Sequence, residues 1–244
     1  MLLQIKLIIA KILVNDFTGK LISILFSNKI PFHNLRIDIS NSVIRKRIAA
    51  SLYFKTYESA EVRFISKYLK DYDGTIVELG ASIGVVSSTL AKANPKATLY
   101  SFEADKRFIP IIENNFKINN ISNANCFNEI IGASGYGFVP GEDNTMGKIS
   151  KTNSEINKMS SLPQLIKKYN LSEFVLVSDI EGAEYFILNE DVSVFNAISL
   201  LIIELHPIEI ENRLISVEYL KTRIETLGYE ILEQYGSNIV AKRK

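Results

Sequence analysis

Cysteine occurs once in this chain, at Cys126, and histidine twice, at His33 and His206. One cysteine excludes an internal disulfide and a cysteine-rich zinc site, and it suits a reducing compartment. Charge of one sign is also lacking: 28 Lys and Arg stand against 27 Asp and Glu, a net charge of +1. A dedicated nucleic-acid binder carries a clear basic excess, so nucleic acid is not an expected partner. No run reaches the roughly 18 uninterrupted apolar residues of a membrane span. The nearest approach, MLLQIKLIIAKILV, is interrupted by Lys6 and Lys11. No basic region precedes it and no clean cleavage site follows, so it reads as a retained helix of a cytoplasmic chain. A hydrophobic content of 47% against 23% charged excludes disorder over most of the 244 residues. That length is enough for one large domain with its own core.

The chain divides near residue 74. Residues 1–73 read as an apolar, basic extension and 74–244 as the main domain. A helix is expected over 2–14, resuming around 20–26. Its apolar residues exceed one narrow stripe. It either packs on the main domain or a second subunit, or lies on a membrane surface with the help of Lys6, Lys11, Lys20 and Lys29. IPFHNLRIDISNS alternates like a hairpin, with His33 a surface residue. Residues 56–70 read as a helix with Val62, Ile65 and Leu69 on one face.

From residue 75 onward, short β-rich runs alternate with helical segments, the pattern of a parallel α/β sheet. Strands are expected over 75–79, 97–103, 123–128, 174–179 and 198–204. Helices are expected over about 83–93, 106–119, 161–169, 183–190 and 215–227. YEILEQY and NIVAKR, separated by Gly236-Ser237, form a terminal antiparallel hairpin. The stretch 132–155, rich in Gly and Asn, is expected to be a loop that serves as a substrate loop or lid.

VELGASIGVVS, residues 77–87, carries the most information. A strand ends in Glu78, then Gly80 and Gly84 bracket a tight turn into a helix. Glycine suits a backbone that approaches a ligand or takes positive φ, and the turn lies where open parallel sheets bind ligands. The spacing E-x-G-x-x-x-G is not the dinucleotide G-x-G-x-x-G, because Ser82 interrupts it. The next strand ends at Glu103, whose carboxylate can accept from both ribose hydroxyls of an adenosine. Alone, Gly80 reads equally well as a packing glycine and Glu103 as a solvated strand end; in this order the two point to a cofactor site.

These segments resemble the FkbM family of class I S-adenosylmethionine-dependent methyltransferases. VELGASIG is similar to that family's D/E-x-G-A-N-x-G, and SFEADKRFIPIIENNFKINN to its F-E-P segment. SDIEGAE resembles K-x-D-x-E-G-A-E, and IIELHP resembles I-x-E-x-H-P. The likeness spans about 57–207 in the family's order. Ala104 stands where the family has Pro, Ser82 where Asn is common, and Ser178 where many members have Lys. The resemblance implies a Rossmann-like fold with a mainly parallel seven-stranded sheet ordered 3-2-1-4-5-7-6, helices on both faces. It implies S-adenosylmethionine as cofactor. Glu78, Gly80, Ala81, Ser82 and Gly84 would surround the methionine part, Glu103 would hold the ribose, and Ala104 and Asn128 would lie beside the adenine. Asp179 would face the transferred methyl.

Methyl transfer is an in-line displacement, so positioning carries much of the catalysis, and an alcohol acceptor also needs a base. His206 is the candidate base, since its imidazole titrates near neutrality; a metal ligand or a plain loop histidine are the other readings. Glu204 orients His206, or joins Asp179 in holding a divalent ion, for which oxygen ligands favour magnesium over zinc. Glu181 and Glu184 flank Gly182, and Glu184 also suits a helix N-terminus. Tyr57, Glu58 and Glu61 either close over the cofactor or form a polar helix face. The expected acceptor is a small molecule or saccharide, methylated on a hydroxyl. Two other functions fit less well: an NAD-dependent oxidoreductase, which lacks its glycine fingerprint here, and a non-catalytic scaffold at a membrane surface.

Overall fold

The computed structural model describes residues 13–132, 136–142, 147–151 and 160–244. Most of the helix expected over 2–14 lies outside them. The first described helix, α1 (Asp16–Leu25), starts where Asn15 accepts the Thr18 N–H at 2.9 Å. The expected hairpin follows as β1 (Lys29–Phe32) and β2 (Leu35–Asp38), paired antiparallel. Its turn holds His33, exposed and at φ 50°. Helices α2 (Arg47–Tyr53) and α3 (Ser59–Tyr68) lead to the sheet. On α3, Ile65 and Leu69 are buried as expected and Val62 is half-buried.

The main domain runs β3 (Thr75–Leu79), α4 (Val85–Ala93), β4 (Thr98–Glu103), α5 (Ile109–Ile118), β5 (Ala124–Asn128), β6 (Tyr136–Val139) and β7 (Lys148–Lys151). It continues with α6 (Leu162–Tyr169), β8 (Phe174–Ser178), α7 (Glu184–Leu188), a 3-10 turn (Val192–Ala197), β9 (Ile198–Glu204), β10 (Ile208–Ile210) and β11 (Arg213–Ile215). Helix α8 (Val217–Thr226) and the hairpin β12 (Tyr229–Tyr235) and β13 (Asn238–Arg243) complete it.

Seven strands form one sheet in the order β12-β13-β9-β8-β3-β4-β5. β5, β4, β3, β8 and β9 are parallel, and β13 runs antiparallel to β9 and β12. Numbering only this sheet's own strands in chain order, this is the expected 3-2-1-4-5-7-6. Central strands β3 and β8 are buried almost throughout, as strands with helices over both faces must be. The chain winds outward from β3 to β5 and then returns to β8, so the sheet's switch point lies between β3 and β8.

The N-terminal elements share an apolar core with this sheet's helices. Ile30, Phe32, Ile37 and Ile48 pack with Ile83, Ile112 and Phe116. On α5, Asn115 accepts the Asp38 N–H at 2.8 Å and Asn119 the Arg36 N–H at 2.9 Å. Two α5 side chains thus satisfy an edge of the hairpin that would otherwise be unpaired.

Two expectations need correction. Within the stretch 132–155, expected to be a loop, the described residues include two strands, β6 and β7, which pair as an antiparallel arm. Tyr136 packs on Phe186 at 4.5 Å, and the Arg107 guanidinium donates to the Gly141 carbonyl at 2.8 Å. These tertiary contacts hold a segment whose composition suggested a loop. The segment 208–215, for which no element was expected, is an antiparallel hairpin just before α8, turning through Glu211 and Asn212 at φ 52° and 64°. Two successive left-handed residues make the tight turn that matches strand twist. Helix α4 begins at Val85 rather than near Ile83, because the glycine turn extends through Gly84.

Candidate active site

A cleft opens at the carboxyl ends of β3, β4 and β8. Gly80, Ser82, Glu103, Ala104, Asp179 and Ile180 line one side of it. Tyr57 and Glu58 form a wall just before α3, and Phe138 and Gly147 come from the β6–β7 arm. Glu129, Ile130 and Ile131, which follow β5, close the far end.

Gly80 has φ 87°, and a Cβ built there would lie 1.7 Å from the Asp179 carbonyl oxygen. β3 and β8 approach this closely because Gly80 has no side chain. Three polar residues at the cleft also take left-handed backbone: Glu58 (φ 44°), Ser82 (φ 48°) and Glu181 (φ 53°). Such strain in non-glycine residues clusters at functional sites.

Glu103 is buried at the end of β4. Its two oxygens accept the Ser82 N–H at 2.6 Å and the Asp105 N–H at 2.8 Å. Each carboxylate oxygen keeps a further lone pair for a ligand hydroxyl. Burial pushes this carboxyl up to about 7, against the lowering effect of the two N–H bonds. Glu78 lies lower, in a recess behind the cleft that also touches Glu61, Asp179, Glu204 and Asn238. The Ser87 hydroxyl donates to Glu78 Oε2 at 2.5 Å, while Oε1 has no partner. Burial pushes Glu78 up to about 7, tempered by Ser101 and Ser87.

The SDIEGAE segment turns sharply after β8. Glu184, fully buried, accepts the Ile180 N–H at 2.9 Å and the Gly182 N–H at 2.8 Å. The same carboxylate lies 3.3 Å from His206 Nδ1. His206 Nε2 faces Asp179 Oδ1 at 3.9 Å, and Glu181 and Glu204 at 3.8 Å each. Burial alone would lower this imidazole. The hydrogen bond and charge of Glu184, then Asp179 and Glu181, outweigh burial and raise it to about 9. These carboxylates favour the imidazolium over the neutral ring.

Carboxylates crowd the other side. Burial first, then Glu58 and Glu204, holds Asp179 well above the usual carboxylate range. Glu58 is pushed to about 8 by burial, Glu61 and Glu204, and Glu61 to about 7 by burial first. Asp179 Oδ1 is buried and has no hydrogen-bond partner. An acceptor left this way suits a cationic ligand. Glu58, Asp179 and Glu204, and separately Asp179, Glu181 and His206, bring ligand atoms within 4.8 Å of one another. The all-carboxylate set is the one that suits magnesium. Cys126 offers no nucleophile: burial and then Glu78 and Glu103 push its thiol to about 12.

Most candidates named from sequence converge here, with two exceptions. Gly84 (φ 80°) starts α4, and a Cβ there would lie 3.2 Å from Ile112; it is a packing glycine and does not line the cleft. The Asn128 amide donates to the carbonyls of Glu103 (2.9 Å) and Ala104 (3.0 Å). It braces that turn, and Glu129–Ile131 border the cleft instead. Ala81 is buried beside the recess. Sequence reading missed the Glu129–Ile131 segment, which carries no motif, whereas Phe138 lies in the 132–155 stretch named as a substrate loop or lid. Tyr57, Glu58 and Glu61, left open between two roles, lie against the cleft or its recess.

The model of the methyltransferase FkbM domain matches residues 78–233. The chain belongs to this family and is an S-adenosylmethionine-dependent methyltransferase. No curated protein matches it. Similar solved structures include a precorrin-6y methyltransferase from Geobacter metallireducens, 12% identical, covering 77% of this chain and 88% of that one at TM-score 0.45. A TehB-like methyltransferase from Corynebacterium glutamicum is 13% identical and covers 75% and 87% at 0.41. A chain of a fibrillarin/Nop5p complex is 14% identical and covers 75% and 83% at 0.46. Likeness this distant says nothing of substrate.

Proposed function

We propose that this methyltransferase transfers its methyl group to a hydroxyl oxygen of a sugar or glycan. The observation that carries the reading is the His206 arrangement. Nδ1 is tied to buried Glu184 and Nε2 points toward the cleft carboxylates. An alcohol must lose a proton as it attacks, and a held imidazole is the usual group to receive it. S-adenosylmethionine supplies an electrophilic methyl on a positively charged sulfur. In this reading Glu103 would accept the ribose hydroxyls, and Asp179, whose buried Oδ1 has no hydrogen-bond partner, would face the positively charged methyl donor. A positively charged donor in the cleft would oppose the imidazolium, so His206 would release its proton to solvent and stand as the base. Glu204 stays beside Nε2 and steadies the imidazolium that forms again on transfer.

The test is transfer of a radiolabelled methyl from S-adenosylmethionine to a panel of mono- and oligosaccharides. Alkali-stable ether label is expected. Label only on amines, or as alkali-labile ester on carboxylates, would overturn the hydroxyl acceptor. A second reading rests on the Glu58, Asp179 and Glu204 triad. There the three carboxylates would hold magnesium, which would supply Lewis-acid charge. Full activity after exhaustive chelation removes that reading.

A further inference from the structure

We propose that the outer face of α1, together with Tyr53 and Phe54, docks this protein on an anionic lipid surface. On α1, Phe17, Leu21, Ile24 and Leu25 are 53–74% exposed. Their spacing puts them on one helix face. The opposite face cannot exchange places with it. Gly19 and Ile22 are buried, and a Cβ at Gly19 would lie 1.9 Å from the Lys46 carbonyl oxygen. The helix is thus seated on the start of α2 with its larger apolar residues outward.

The patch continues past the helix. Phe26 contacts Tyr53 with ring centroids 5.4 Å apart, and Tyr53 contacts Phe54 at 5.3 Å. Tyr53 and Phe54 are themselves exposed. Aromatic and large aliphatic side chains together on a surface mark an interaction site rather than scattered apolar exposure.

Charge selects the occupant. Residues 1–57 contain nine Lys and Arg against only Asp16 and Asp38, a net +7 in a chain whose total is +1. The rest is therefore net acidic. Lys20, Lys29 and Lys55 are exposed. The apolar, lysine-bearing sequence MLLQIKLIIAKILV runs directly into α1. Apolar residues flanked by cations are what an anionic bilayer attracts and buries. A second copy on the same face would bring two basic surfaces together. Nucleic acid would leave the central Phe, Leu and Ile side chains without an apolar partner. Among the described residues no helix is long and apolar enough to cross a membrane.

The test is co-sedimentation of the full chain with vesicles of phosphatidylcholine, with or without about one-third phosphatidylglycerol. Binding to the anionic vesicles is expected, falling at least ~10-fold on neutral vesicles and in ~0.5 M salt. The triple variant Phe17→Gln, Leu21→Gln, Ile24→Gln should partition ~100-fold more weakly. Its circular dichroism and melting temperature should match the parent's, since the altered side chains are exposed. Three outcomes overturn the proposal. One is a folded parent that ignores anionic vesicles. Another is equal binding by the variant. The third is a parent that dimerises in solution through these residues and binds no vesicle.

Discussion

Glu184 and His206 meet at 3.3 Å, carboxylate to Nδ1, while the same carboxylate accepts the backbone N–H groups of Ile180 and Gly182. One buried side chain therefore shapes the turn that carries Asp179 and aims the imidazole beside it. Glu184→Gln replaces an acceptor oxygen with a donor, so one N–H loses its partner and the imidazole its counter-charge. A stability loss of ~1–3 kcal/mol is expected in thermal unfolding. The ascending, acid limb of the kcat profile, which a general base sets, should also move to lower pH. An unshifted profile would mean that Glu184 serves the turn alone.

Glu103→Ala should weaken binding of both S-adenosylmethionine and S-adenosylhomocysteine by at least ~100-fold, because two hydrogen bonds to a charged acceptor go together. Calorimetric titration measures this, with circular dichroism reporting the fold. Undiminished affinity would remove Glu103 from the ribose site.

Binding of the positively charged donor should release protons. Glu103 sits at about 7 and Glu58 at about 8, and both ionise more readily beside a cation. Affinity for S-adenosylmethionine should therefore rise with pH across that range, and rise less for S-adenosylhomocysteine, which lacks the sulfonium. Calorimetry in two buffers of different ionisation heat counts the protons. A zero count contradicts the charge assignment of this cluster.

Glu78 carries a pH signature in stability. Its carboxyl is raised from 4.5 to about 7 in the fold, so the protonated form is favoured there. Folding is unpenalised below the unfolded value, and stability is lost as pH rises from 4.5 through 7. Glu78→Gln should therefore stabilise the protein by up to ~3 kcal/mol at pH about 8, and by little near pH 4. Melting temperatures across pH give the comparison; a constant difference would deny that the buried charge is its source.

Ser82 takes left-handed backbone at φ 48°, a region that costs an ordinary residue ~1–2 kcal/mol and that asparagine visits more readily. Asparagine is the family's common residue at this place in the motif. Ser82→Asn should stabilise the fold by up to about 1 kcal/mol, read from urea unfolding. A loss of stability would show that the cleft leaves no room for the larger side chain.

Local patterning made much of this molecule legible. β3 and β9 begin and end where their apolar runs do, and the terminal hairpin follows from Gly236 between two alternating segments. The β10–β11 hairpin was legible in IEIENRLI, whose alternation brackets a turn, but the helical segment that follows obscured it. The β6–β7 arm was not legible. Its pairing rests on partners distant in sequence, Phe186 and Arg107, which no local period reports. The site divides the same way. Glu103 and Asp179 stand at strand ends that motifs reveal. Gly84 and Asn128 share the motif neighbourhood, yet packing against Ile112 and bracing the Glu103–Ala104 carbonyls use them up.

By itself the sequence determined the alternation of strands and helices, the glycine turn after β3 and the family, because these depend on residue order and period. Tertiary structure decided the electrostatics. Glu58 from the N-terminal side and Asp179 after β8 acquire their raised pKa values only when folding buries them and brings them beside other carboxylates. Like charges repel and burial strips their water, and neither effect exists along an extended chain.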